Sequence, residues 1–121
     1  MTSDTDSDML LLDHISECIR RIREYTGGQR NIFYDSQLVQ DAVVRNLQTL
    51  AESTQRLSAS LKTTEPGVPW SAISGFRNVL AHNYLGIDLD AVWSVVERDL
   101  PELKAAIERM SKAVARSADR P

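Results

Sequence analysis

The residues of this 121-residue chain that are best suited to chemistry lie in one stretch, from Trp70 to Tyr84. It contains Arg77, and His82 follows five residues later. A guanidinium can bind two oxygens of a phosphate at once, and an imidazole with a pKa of about 6.5 transfers protons near neutrality. This pair suits cleavage of an RNA phosphodiester, in which the 2′-hydroxyl loses a proton and the leaving oxygen gains one. We therefore predict His82 as general acid and base and Arg77 as phosphate clamp.

On a helix, the same stretch has an apolar arc and a polar arc. The apolar arc contains Ile73, Phe76, Val79, Leu80 and Tyr84, and the polar arc contains Ser71, Ser74, Gly75, Arg77, Asn78, Ala81 and His82. At 100° per residue, Arg77 and His82 lie about 140° apart and flank the polar arc, with small residues between them. Asn78 lies about one turn before His82 and could orient its ring. The small residues leave room for a phosphate or for a partner helix.

The histidine content bears on the oligomeric state. The chain has two histidines, His14 and His82. If the reaction needs one imidazole as base and another as acid, the second is most simply His82 of a symmetry mate, which predicts a two-fold dimer. Residue types alone leave open a surface or interface role for Arg77, Asn78 and His82.

The elements that must position this stretch are predicted to be helices. Apolar residues recur at three- and four-residue steps over about residues 8–25, 36–62 and 70–82, and again after Asp88. Thr26-Gly27-Gly28 should end the first helix, and Asp88 should cap the fourth. Pro101 should kink or split the last helix. The polar ends, Met1 to Ser7 and Ser117 to Pro121, are predicted to be disordered. We expect one all-α domain over residues 1–121, an antiparallel four-helix bundle.

Composition excludes several classes of function. A net charge of -3 and a pI near 5.3 argue against a broad basic surface for duplex DNA. The single cysteine, Cys18, lies within an apolar helical stripe, which predicts a buried thiol in a reducing, cytoplasmic compartment. No apolar run reaches the ~20 residues of a membrane span, and no metal-ligand spacing or glycine-rich phosphate loop is present. We expect no membrane segment, no metal and no cofactor.

The second predicted helix carries three further candidates. Asp41, Arg45 and Glu52 could support the site from that neighbouring helix. The four-residue spacing of Asp41 and Arg45 also suits an ion pair within the helix, which would explain both residues without a function.

Arg77, His82 and Tyr84 match a signature of arginine, four to six residues, histidine, any residue and tyrosine. In this, the chain resembles the HepT-like ribonuclease toxins of the HEPN superfamily. The likeness includes Phe33, Asp35, the run from Asp41 to Leu47, Val68-Pro69-Trp70, and Asp88 with Val92-Trp93. The sequence departs from the pattern at Ala51-Glu52-Ser53, where relatives commonly carry Gly-Glu-Ala.

The resemblance implies a fold, an activity and partners. It implies a four-helix bundle that dimerises with its signature helices near the interface, and a metal-independent RNase that uses Arg77 and His82. It also implies a toxin neutralised by a minimal nucleotidyltransferase antitoxin, which can transfer AMP to Tyr84. Two alternatives remain: a non-catalytic HEPN-type homodimer that binds a nucleotidyltransferase partner or a nucleotide, and a scaffold whose polar helix face pairs with itself.

Overall fold

The computed structural model describes residues 4–81 and 88–118, with side chains at 6–76 and 88–117. The elements are α1 (Asp4–Thr26), α2 (Arg30–Asp35), α3 (Gln37–Arg56), α4 (Ala59–Lys62), α5 (Trp70–Ala81), α6 (Leu89–Ser94), a π-helical turn (Val95–Asp99) and α7 (Leu100–Ala118). No strand occurs among these residues, so the predicted all-α class is confirmed.

One apolar core joins the long helices. Helix α1 packs against α3 and α7, and α3 packs against α5. The core side chains include Leu12, Ile15, Ile19 and Ile22 of α1, Val43, Leu47 and Leu50 of α3, and Leu103, Ile107 and Met110 of α7. Cys18 is buried with them, which confirms the predicted burial of its thiol. Burial of each large side chain contributes roughly 1.5–3 kcal/mol.

Helix α1 begins earlier than the sequence predicted. We expected a disordered segment through Ser7, but α1 starts at Asp4, and residues 1–3 lie outside the described part. The buried carboxylate of Asp8 accepts hydrogen bonds from the backbone N–H and the hydroxyl of Ser58, at 2.9 and 2.6 Å. This contact joins the first turns of α1 to the end of α3. Acidic residues also stabilise the first turn of a helix.

The second predicted helix is interrupted. It begins as expected, because the Ser36 hydroxyl accepts a hydrogen bond from the Val39 N–H. However, α3 ends at Arg56, and Ser58 then caps the separate helix α4 by accepting from the Leu61 N–H. A serine favours a cap over a helix interior because its hydroxyl competes for backbone groups.

The short helix α2 was not predicted. Gly27 and Gly28 have φ angles of 60° and 71°, and they end α1 as the sequence indicated. Six residues of helix follow, which is too short for helical periodicity to be recognised. Phe33 anchors α2, since it is fully buried and stacks on Trp93 with 5.5 Å between ring centroids.

The last predicted helix is divided by a π-helical turn just before Pro101, where the sequence predicted a kink or a split, and α7 begins at Leu100. Asp88 caps α6 as predicted, by accepting a hydrogen bond from the Ala91 N–H. In the π-helical turn that follows, the Leu100 N–H donates to the Val95 carbonyl, five residues earlier. Proline lacks an N–H and would clash with a carbonyl in a regular helix, and the wider turn before it accommodates the ring. Helix α7 then continues to Ala118, so the predicted disorder at Ser117 is wrong.

Candidate functional site

The predicted site residues lie at the edge of the described structure. Arg77 and Asn78 belong to the main chain of α5, and their side chains are outside the described part. His82 and Tyr84 fall within 82–87, which is also outside it. The structure therefore describes the contacts that hold the chain before this segment, at the start of α5, and after it, at α6.

The first turns of α5 have the two faces that the sequence predicted. Ile73 is buried, and the half-buried Phe76 packs against the core. On the other side Ser71 is exposed, and Ser74 and Gly75 are half-buried. A Cβ atom added at Gly75 would meet no atom of the described residues within 4 Å. The described residues therefore leave room beside Gly75 on the small-residue face.

Trp70 anchors the start of α5. Its indole N–H donates to the carbonyls of Lys62 and Glu65, at 3.2 and 3.1 Å. The Ile73 N–H donates to the Pro69 carbonyl at 3.1 Å, so Pro69 caps the helix one residue before its first turn. Both contacts tie α5 to the loop that precedes it.

An ion pair fixes the same loop to α7. The Arg109 guanidinium donates to both carboxylate oxygens of Glu65, with a shortest distance of 2.6 Å. This guanidinium lowers the pKa of Glu65, and the carboxylate raises the pKa of Arg109. A groove of about 300 Å³ lies between loop and helix, and its walls include Asp99 and Glu102. The start of α5 is thus held by α7 as well as by its own loop.

A second cluster of contacts joins α2 to α6, the helix that begins just after residues 82–87 in the sequence. The Tyr34 hydroxyl of α2 donates a short hydrogen bond to the Asp90 carboxylate of α6. The Arg30 guanidinium lies 4.7 Å from the centroid of the Tyr34 ring and 3.7 Å from Asp90. The hydrogen bond to Asp90 raises the pKa of Tyr34, because only the protonated phenol can donate it. Together with the Asp88 cap, this cluster fixes the start of α6.

The contacts on either side of the signature segment were missed by sequence reasoning. Tyr34 and Asp90 are 56 residues apart, and Glu65 and Arg109 are 44 apart. No local spacing connects such pairs. Trp70 was the one available signal, because a tryptophan directly after a proline at a helix start must find a partner for its indole N–H when it packs.

The three supporting candidates are exposed on α3. Asp41 and Arg45 line a groove between α1 and α3, with His14 and Tyr25 on the α1 side. No ion pair joins Asp41 to Arg45, so the alternative that they only pair with each other along the helix does not explain them. Glu52 likewise forms no ion pair with a described residue. The structure does not bring these three side chains to the described residues of α5.

The described residues contain neither a candidate metal site nor a candidate membrane span. No group of three or more histidine, cysteine, aspartate or glutamate side chains there could hold a metal ion. Within the same residues, every helix is too short or too polar to cross a membrane.

Comparison with known proteins identifies relatives along most of the chain. The family model described as Ribonuclease HepT-like matches residues 15–110. The "Probable ribonuclease HepT" of Thermococcus cleftensis is 32% identical over 105 residues, which cover 84% of this chain and 93% of that protein. "Putative RNase MJ1380" of Methanocaldococcus jannaschii is 33% identical over 95 residues, 78% of this chain and 87% of that protein.

A longer relative matches over part of its length. The "Gamma-glutamylcyclotransferase and putative RNase MJ0434" of Methanocaldococcus jannaschii is 34% identical over 99 residues, 81% of this chain. The match spans 45% of that protein. No solved structure is significantly similar to this chain.

Proposed function

This chain belongs to the HepT-like ribonuclease family, and we propose that it is a metal-independent endoribonuclease. The observation that carries the proposal is the family match over residues 15–110, since that range contains the arginine, histidine and tyrosine of the signature in order. The resemblance predicted from the sequence is confirmed at the level of the family. The substrate bond and the roles of the residues are our proposal.

In the proposed reaction, the 2′-oxygen of one nucleotide attacks the adjacent phosphorus. His82 takes the 2′-hydroxyl proton, and an imidazolium gives a proton to the 5′-oxygen as its bond to phosphorus breaks. Arg77 binds the non-bridging phosphoryl oxygens while charge builds on them. Asn78 orients the His82 ring, and Tyr84 contacts the substrate. No step requires a metal ion or an organic cofactor.

We propose that the enzyme is a homodimer of antiparallel four-helix bundles. The anchors at Trp70 and at Glu65 hold α5 on the bundle, while the open space at Gly75 leaves its small-residue face accessible. A two-fold axis near that face supplies the second His82 that acid and base catalysis requires. Asp41, Arg45 and Glu52 support the site in this arrangement as residues that position the two copies.

We further propose that the protein is the cytoplasmic toxin of a toxin–antitoxin pair. Its antitoxin is a minimal nucleotidyltransferase that transfers AMP to Tyr84. The adduct adds bulk and negative charge two residues from His82. Its bulk blocks RNA sterically, and its charge repels the RNA phosphates.

Growth of a bacterial host tests the proposal in cells. Induction of the wild-type chain alone is expected to arrest growth, because nothing neutralises the RNase. His82→Ala should relieve the arrest, whereas the matched variant His14→Ala, which removes the exposed imidazole of α1, should not. Unimpaired growth at verified expression of wild-type protein without AMP would favour the non-catalytic binding module.

A further inference from the structure

The outer face of α3 carries four exposed charges in a regular pattern. Asp41, Arg45, Glu52 and Arg56 follow one another as acid, base, acid and base, and we call these four residues the α3 charged face. Each acid precedes its base by four residues, and the two acid–base pairs are eleven residues apart. Eleven residues are close to three helical turns, so all four side chains lie on one side of the helix.

None of these four side chains forms an ion pair with a described residue of the chain. An acid four residues before a base is the favourable order for an ion pair along a helix. Yet neither Asp41 with Arg45 nor Glu52 with Arg56 forms one, and no other described residue pairs with any of the four. By contrast, Arg20 on α1 pairs with both Glu17 and Glu24. The α3 charged face is therefore free to pair with another molecule.

We propose that the α3 charged face binds the same face of a second copy, with the two α3 helices antiparallel. The inference rests on the proposed homodimer and identifies its interface. In the register centred between Gln48 and Thr49, Asp41 lies opposite the partner's Arg56, and Arg45 lies opposite the partner's Glu52. The two-fold axis repeats both contacts, so every charge on the face meets an opposite charge.

The charge pattern selects this geometry over the alternatives. A two-fold axis parallel to α3 would place each residue opposite its own copy, so that all four contacts would join like charges. An antiparallel register centred within either acid–base pair would leave the other pair unmatched. Charges at such a surface determine orientation and partner choice more than they determine affinity.

Apolar contacts beside the charges add to the interface. Leu38 is on the same side of α3 and is 80% exposed. On the neighbouring helix α1, the side chain of Tyr25 is 39% exposed. A stable dimer buries roughly 1,200–2,000 Å² in total, so the flanking helices must contribute as well as α3.

The arrangement has a consequence for the proposed active site. Helix α3 packs against α1 and against α5. The two-fold axis of this dimer lies in the plane of the interface, at a right angle to α3, so it reverses the direction of α3. The same rotation leaves α1 of one copy beside α1 of the partner, and α5 beside the partner's α5. The α5 helix of one copy then faces the α5 helix of the partner, which carries the second Arg77 and directly precedes the second His82 in the sequence.

Charge exchange between Arg45 and Glu52 tests the interface. Arg45→Glu places two acids in contact across the axis, and Glu52→Arg places two bases there. Each single variant is expected to raise the dimer dissociation constant by roughly tenfold or more, measured by analytical ultracentrifugation. The double variant, Arg45→Glu with Glu52→Arg, restores opposite charges and should restore the dimer. Lys112→Glu, an exposed reversal on α7, is the matched control and should leave the constant unchanged.

The outcomes separate this inference from the proposed function. A dimer that survives both single variants, or a double variant no better than the singles, would overturn the α3 interface while the RNase proposal stands. A monomer at every concentration would overturn the interface as well. Loss and recovery of the dimer support the interface even if the wild-type protein cleaves no RNA, since ultracentrifugation does not depend on activity.

Discussion

Glu65 shows how a single side chain can set the position of the signature helix. Its carboxylate is held by Arg109 on α7, and its backbone carbonyl accepts the Trp70 indole N–H. The carboxylate therefore connects the loop before α5 to a helix that belongs to the core. Because Arg109 lowers the pKa of Glu65, the strength of this connection depends on pH.

We predict that Glu65→Gln lowers the melting temperature at pH 7 by roughly 1 to 4 °C. A lowered carboxylate pKa stabilises the folded state above the unfolded value of about 4.3, and this contribution is lost as the pH falls through the folded pKa. The difference between wild type and variant should therefore be present at neutral pH and disappear in acid. Thermal unfolding from pH 7 down to pH 3 measures it.

Glu102→Gln is the control for that experiment, because Glu102 is exposed in the same groove and forms no ion pair with a described residue. It should change the melting temperature little at any pH. A Glu65→Gln difference that is constant across the pH range would contradict the role of the ion pair.

At the scale of the elements, the break between α3 and α4 depends on Asp8. The carboxylate satisfies the Ser58 backbone N–H and hydroxyl at the point where the helix stops. We predict that Asp8→Ala lowers the free energy of unfolding by about 1–3 kcal/mol, because it leaves the Ser58 backbone N–H without a partner and leaves the hydroxyl only its 3.3 Å contact with the Ser60 hydroxyl. Urea unfolding at fixed protein concentration measures the change.

Asp13→Ala, at an exposed site on the same helix, is the control, and its free energy of unfolding should stay within about 0.5 kcal/mol of wild type. An equal loss in both variants would refute the role of the Asp8 contact with Ser58.

The long helices could be predicted from the sequence because their apolar stripes repeat over many turns. Other predicted features depend on local signals, and the structure has them as well: the Thr26-Gly27-Gly28 stop, the helix starts at Ser36 and Trp70, and the Asp88 cap. The sequence did not predict α2, which is stabilised by Phe33 against Trp93 from a distant helix. It also predicted disorder through Ser7, the residue before Asp8, because the contact of Asp8 with Ser58 spans 50 residues and has no local signal.

The candidate site was predictable in its residue types and not in its supports. Arg77, His82 and Tyr84 form a short sequence pattern, and the family match bears out the resemblance that they indicated. The Tyr34 contact with Asp90 and the Glu65 contact with Arg109 join residues that only the tertiary fold brings together. The failure of Asp41 to pair with Arg45 was equally unpredictable, because spacing permits such a pair without requiring it.

At the scale of the whole molecule, the proposed dimer predicts how RNase activity depends on the fraction of wild-type subunits in a mixture. If both imidazoles of a dimer are needed, only dimers of two wild-type subunits cleave RNA. Mixtures of wild type and His82→Ala, after subunit exchange, should therefore lose activity with the square of the wild-type fraction. An equal mixture should retain about one quarter of the activity of wild type at the same total concentration.

The matched mixture of wild type with His14→Ala should keep full activity at every ratio. A linear decrease with His82→Ala would mean that each subunit acts alone, and it would remove the reason for a paired active site.

The most direct test is incubation of purified protein with transfer RNA and messenger RNA, with and without EDTA. Mass spectrometry first establishes that Tyr84 carries no AMP. We predict that the wild-type protein cleaves RNA equally well with EDTA, that His14→Ala does the same, and that His82→Ala is slower by about 100-fold or more at equal dimer content. Wild-type protein that cleaves neither RNA, or His82→Ala protein that cleaves at the wild-type rate, would contradict the proposed metal-independent RNase.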